Sequence, residues 1–277
     1  MIEMKKVAIL YICTGKYIVF WEKFYTSSKQ HLLLNTEKHY FVFTDVESLP
    51  IGEDDPKVHR IYQENLGWPG NTLYRFAMFR KIEKQLEEFD YIYFFNANYV
   101  CMKDISEEEF LPIKDELVVT RHPGYYYTRP SELPYDRNPK STAYISYLDP
   151  RSLYYFCGGL NGGGCKSYLN LINEIDRRIK KDDANGVVAL WHDESHLDKY
   201  MLKQTRYKML SPAYAYPEDR ELFFEQKLLL LEKEKVFDMS YKILTAQGQI
   251  NLNPLLRFFV EKFDSVKMLF HRSDEFI

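Results

Sequence analysis

YIYFFNANYVCMKD, residues 91–104, opens on aromatic and β-branched residues and stops at Asn96-Ala97-Asn98. A short apolar run of that composition suits a buried central strand. The stop falls where α/β sheets bind ligands, just beyond the carboxyl end of a strand. Two carboxylates at such a place would hold a divalent ion against a nucleotide diphosphate. Asparagine amides can hydrogen-bond sugar hydroxyls, but they carry no charge with which to bind magnesium or manganese tightly. Taken alone, the triplet is an Asn-capped strand end.

The flanks extend the pattern. KVAILYI, residues 6–12, reads as a buried strand that leaves through the turn CTGKY. Apolar positions at Val19, Phe20, Phe24 and Leu32 to Leu34 suit a helix over 17–34. HYFVFTD, 39–45, is a second strand ending at Asp45, and KVHRIYQ is a third. Leu73, Phe76, Phe79, Ile82 and Leu86 recur near the helical period, which predicts a helix from Thr72 to Phe89 with Thr72 as its N-cap. Such alternation argues a mostly parallel, Rossmann-like α/β sheet flanked by helices.

Downstream, ELVVTRHPGYYYTRP gives a strand and then a Tyr-rich loop. YFCGGLNGGG, 155–164, reads as a glycine-rich turn that lets the backbone approach a ligand. Residues 166–180 are helical in pattern. ANGVVALWHDESHLDKYMLKQ, 184–204, reads as a helix whose first polar turn holds Trp191, His192, Asp193 and Glu194, with the two carboxylates on different sides. The expected organisation is one main domain, 1–240, with a peripheral segment, 241–277, that includes an amphipathic stretch at 251–270.

Composition narrows the classes of function. The 277 residues are 45% hydrophobic and 28% charged, as in a soluble globular protein. A net charge of -3 gives no general attraction to nucleic acid. Aromatic residues reach 16%, and the tyrosines in polar loops could stack on sugars or bases. Cysteines 13, 101, 157 and 165 have no CxxC or zinc spacing, so buried thiols in a reducing compartment are expected. The N-terminal apolar patch is interrupted at Thr14, Gly15 and Lys16 and lacks a cleavage site or the length of a span; it reads as a cytoplasmic first strand, without membrane association.

Several motifs fail. GLNGGG is not followed by GKS or GKT and is no P-loop. His192 and His196 share a helix face, but Glu194 stands in the wrong place for the HExxH signature and no third ligand is evident.

HPGYY, YYFCGGLNGG, ANGVVALWHDESHLDKYMLK and LSPAY, in this order, resemble the retaining glycosyltransferases that include the histo-blood group A and B enzymes and the α-1,3-galactosyltransferases. GKY, HYFVFTD and WPGNTLYR also resemble family segments, so the likeness runs from about residue 8 to about 214. It implies a GT-A fold and α-1,3 transfer of a hexose from a UDP sugar to galactose, with retention of configuration. It also implies a soluble bacterial-type member without a membrane anchor. Vertebrate members carry DxD and use manganese. Here Asn96 and Asn98 occupy the acidic positions, which implies that neither a metal nor any other cofactor is needed. A metal-dependent enzyme using Asp45, Asp193 or other carboxylates stays open.

The resemblance also assigns residues. Glu194 matches the proposed catalytic glutamate and borders the acceptor, acting as a nucleophile or as a stabiliser of oxocarbenium-like charge. Tyr17 matches an aromatic residue near uracil, and Asn71, Arg75, Asn96, Ala97, Asn98 and Asp193 fall in donor segments. Lys227 and Lys233 have the six-residue spacing of two basic residues that close over the diphosphate. His122 and Trp191 match acceptor contacts. Cys157, Gly158 and Gly159 form the donor-selecting segment. Glycine at 159 leaves room for an acetamido group, which implies UDP-N-acetylgalactosamine and, by likeness to the blood group A branch, a fucosylated galactose acceptor. UDP-galactose, or a catalytically silent glycan-binding protein, are the alternatives.

Overall fold

Lys6–Ile12 forms β1, and its residues alternate between two cores, Val7, Ile9 and Tyr11 to one side and Ala8 and Leu10 to the other. That period of two, apolar on both faces, is what a central strand covered on both sides requires. In the computed structural model, which describes residues 4–113, 115–233 and 235, β1 lies between β2 (Glu37–Thr44) and β4 (Tyr91–Phe95), parallel to both. The predicted segment 241–277, with its amphipathic stretch, lies outside the described residues.

The main sheet has seven strands in the order β3-β2-β1-β4-β7-β6-β8, with β3 at Val58–Tyr62, β6 at Leu117–Arg121, β7 at Phe156–Gly164 and β8 at Tyr207–Leu210. Only β7 runs against its neighbours. It is therefore the start of β7, Phe156 to Gly159, that meets the carboxyl ends of β4 and β6. A small second sheet joins β5 (Tyr99–Cys101), β10 (Leu228–Leu230) and β9 (Tyr216–Pro217).

One face of the main sheet is covered by α1 (Trp21–His31), which buries Trp21 and Phe24 against Tyr11 and Tyr40. The other carries short helices α2 (Gly67–Leu73), α3 (Arg75–Arg80) and α4 (Glu83–Leu86), then α6 (Cys165–Ala184) and α7 (Asp193–Met201). A four-residue helix, α5 (Glu107–Phe110), is capped by the Ser106 hydroxyl. Each fully buried Phe or Leu in these cores contributes about 1.5–3 kcal/mol.

Four local expectations are corrected. The predicted helix over 72–89 is broken at Tyr74 and Ile82, where the dihedrals leave the helical region; i to i−3 bonds such as Lys81 N–H to Met78 O tighten the chain there. Its apolar positions still reach the core, because a three-residue turn keeps nearly the same face. Residues 17–34 begin as a 3-10 helix, Gly15–Phe20, before α1.

GLNGGG is not a turn but the interior of β7. Gly163 has φ +145, and a Cβ there would lie 2.5 Å from Glu116 O, so only glycine lets β6 and β7 pair so closely. The predicted helix over 184–204 shortens to α7. His192, at φ 54, turns the chain sharply into Asp193. Between Lys227 and Lys233 the chain forms the strand β10.

No helix among the described residues is long and apolar enough to cross a membrane. All four cysteines are free thiols, three of them buried.

Candidate active site

The antiparallel entry of β7 brings the glycines of one motif beside the asparagines of another. Asn96 N–H donates to Gly159 O at 2.8 Å, and a Cβ on Gly159 would lie 3.1 Å from Asn96 Nδ2. Gly158 faces the start of α7, where a Cβ would meet Asp193 Oδ2 and Glu194 Cβ, each at 3.3 Å. The two carboxylates expected on different sides of a helix thus both approach one glycine at the start of α7.

Glu194 is half-buried and held at both oxygens. Oε1 accepts from Tyr155 OH at 2.8 Å and Oε2 from Gly158 N–H at 2.6 Å. Burial raises its pKa, and these two bonds pull it back. Tyr155 belongs to the stretch YYFCGGLNGG. A tyrosine beside a glycine-rich segment carries no sign of a carboxylate 39 residues away.

Asp193 is fully buried. Its Oδ2 lies 3.0 Å from Arg75 Nε, yet neither oxygen has a hydrogen bond of good geometry among the described residues. The Arg75 Nε–H is aimed at Thr72 O instead, so the contact is ionic more than directional. Burial pushes Asp193 up to about 7 in spite of Arg75. A buried carboxylate with open lone pairs is matched to hydroxyl donors. Arg75 itself donates to Gly158 O at 2.9 Å, so it links Gly158 to Asp193 from beneath.

Beyond β1, Gly15 N–H is capped by Asp45 Oδ1 at 2.7 Å, and Asn71 Nδ2 bonds Thr14 Oγ1 at 2.9 Å. Asn71 therefore fixes the loop that leads into Tyr17. The two lysines part company. Lys227 is paired with Glu109 at 2.7 Å, so its charge is already balanced. Lys233 Nζ lies over the Tyr17 ring, 5.4 Å from its centroid.

His122 follows β6, and its Nδ1 accepts from Gly124 N–H at 3.1 Å. That bond fixes the neutral ring as a donor at Nε2. Burial, with Arg220 nearby, holds its pKa at about 4. The rings of His122, Tyr125 and Tyr155 are in mutual contact, and Tyr125 and Trp191 each pack against the cluster formed by Leu133, Tyr135, Ile145, Tyr155 and Leu202. The Trp191 Nε1–H is buried without a hydrogen-bond partner among the described residues. Trp68, in WPGNTLYR, meets His192 edge to face at 5.4 Å, a contact the sequence did not suggest. Cys157, buried against Tyr99, has its thiol pushed up to about 12 and is inert.

A divalent ion does not fit the strand end. Ala97 O accepts from Tyr11 OH at 2.6 Å, Asn98 Nδ2 donates to Leu231 O at 2.7 Å, and Asn96 offers a neutral amide. Among the described residues no three His, Cys, Asp or Glu side chains are grouped to hold a metal. His196 is turned away from His192 toward Asp182, at 3.8 Å.

The sequence profile of glycosyltransferase family 6 matches residues 3–235. The O-antigen biosynthesis glycosyltransferase WbnI of Escherichia coli is 33% identical over 229 residues, 83% of this chain and 95% of that protein. The histo-blood group ABO system transferase 1 of Rattus norvegicus is 34% identical over 77% of this chain. The globoside alpha-1,3-N-acetylgalactosaminyltransferase 1 of Homo sapiens is 27% identical over 78% of it. The chain spans 59% and 62% of those two longer proteins.

Proposed function

This chain belongs to glycosyltransferase family 6 and is a UDP-sugar-dependent hexosyltransferase; on that premise we propose that it moves N-acetylgalactosamine from UDP-N-acetylgalactosamine to the galactose of a fucosylated oligosaccharide, in α-1,3 linkage, with retention and without a metal ion. The observation that carries the reading is Glu194, gripped by Tyr155 and Gly158 beside the Asn96 strand end. A carboxylate fixed in this way faces the anomeric carbon and is complementary to the positive charge that develops there. It serves equally as the nucleophile of a double displacement. Asp193 receives donor sugar hydroxyls in its two open oxygens.

Donor choice rests on Gly159. The space a side chain would fill lies 3.1 Å from the Asn96 amide, which suits the polar acetamido group better than a bare hydroxyl. The globoside relative is named for N-acetylgalactosamine transfer and supports the same donor. The blood-group relatives support a fucosylated acceptor, received by His122, whose Nε2–H is the available donor, with Trp191 stacking on an apolar face of the sugar. Charge growing on the departing UDP is offset by Lys233 beside Tyr17, with Asn96 adding neutral donors.

The test is transfer from UDP-N-acetylgalactosamine to 2'-fucosyllactose in excess EDTA beside the same reaction with manganese. Equal turnover in both supports the reading. Turnover only with manganese overturns metal independence, and turnover only with UDP-galactose overturns the donor. UDP binding without any transfer overturns the activity and leaves a binding protein.

A further inference from the structure

The second asparagine of the strand end holds the C-terminal strand in place. β5 and β10 pair antiparallel, with Leu230 opposite Tyr99, so the next pair outward is Leu231 with Asn98. Leu231 N–H donates to Asn98 O at 2.9 Å. In an antiparallel ladder the return bond of such a pair comes from the main chain. Here Asn98 supplies it with its side chain, Nδ2 to Leu231 O at 2.7 Å. Asn98 is 6% exposed and its Oδ1 has no partner among the described residues, so the grip is made through the amide N–H. An aspartate could not make it, because an ionised carboxylate only accepts and would face the Leu231 carbonyl.

Two residues beyond this clasp stands Lys233, over Tyr17. We propose that Asn98 is a positioning residue: its side-chain amide latches the C-terminal strand at Leu231 and so carries Lys233 to the diphosphate edge beside Tyr17. The position that would ligate a metal is thereby used to deliver the cation that stands in for it. The proposal rests on the assignment of Lys233 made above.

The test is a double-mutant cycle of Asn98→Asp and Lys233→Met, read as the KM for UDP-N-acetylgalactosamine and kcat across pH 5–8, with hydrogen exchange of the Leu228–Leu231 amides. Asn98→Asp is expected to raise the donor KM about tenfold at pH 7.5, the scale of one lost buried hydrogen bond. The loss should shrink toward pH 5, where a protonated carboxyl can donate again, and should vanish in the Lys233→Met background. Where Asn98→Asp fails to fold, Asn98→Ala enters the cycle and shows the same coupling without the pH dependence. Independent, multiplying effects of the two substitutions overturn the latch. A Lys233→Met enzyme with unchanged donor KM overturns the Lys233 assignment instead. Hydrogen exchange separates the two failures, since Asn98→Asp speeds exchange at Leu231 only if the latch holds the strand.

Discussion

Arg75 Nε lies 3.0 Å from Asp193 Oδ2, and the two side chains are 6% and 2% exposed. The same guanidinium donates to Gly158 O and stacks 4.4 Å from the Phe94 ring centroid, so one residue ties α3, β4, β7 and α7 together beneath Gly158. Breaking a buried pair from one side strands the other charge. Arg75→Met should therefore cost about 3–5 kcal/mol in urea unfolding, and Arg75→Met with Asp193→Asn should recover part of that loss.

Glu194→Gln keeps the shape of the site and removes its negative charge. Transfer should fall about 10²–10³-fold, while UDP binding measured by calorimetry stays unchanged. Tyr155→Phe removes only the bond to Oε1 and should cost less, about tenfold in kcat. A Glu194→Gln enzyme with normal turnover would place the chemistry elsewhere.

Gly159→Leu drives a side chain toward the Asn96 amide. The ratio of kcat/KM for UDP-N-acetylgalactosamine over UDP-galactose should drop by about 10–200-fold. The check is a competition assay with both donors. An unchanged ratio would mean that the acetamido group lies away from Gly159.

His196 is 1% exposed, and burial holds its pKa at about 4, with Asp182 opposing and Arg178 assisting. Its folded value is below the usual 6.5, so the unfolded chain binds the proton first as pH falls. Its contribution to stability is present above about pH 6.5 and is lost progressively down to about pH 4, by about 1.4 kcal/mol per pH unit. The buried carboxylates Asp193, Glu194 and Asp198 are raised and slope the other way, so the readout is a difference. The stability of wild type relative to His196→Gln should decline from pH 6.5 to pH 4 and be flat from pH 7 to pH 8.

What the sequence determined is what short-range pattern can carry. Continuous apolar runs in KVAILYI and YIYFF marked both central strands, and the apolar residues of Leu73 to Leu86 marked a covering face even though the helix is broken. The motifs HPGYY, YYFCGGLNGG and Trp191 to His196 placed the chain in its family, and the Asn96 strand end marked its departure from the DxD of vertebrate members. Tertiary structure alone decided the direction of β7, and with it the meeting of Gly159 and Asn96. It also decided the pairing of Glu194 with Tyr155, and that Lys227 is spent on Glu109 while Lys233 reaches Tyr17. The physical reason is that periodicity reports which residues face a core, whereas strand direction and ion-pair partners depend on segments tens of residues away that must first be packed against one another. Asn98 shows both limits: its neutrality was visible in the sequence, but the carbonyl it holds belongs to Leu231, 133 residues later.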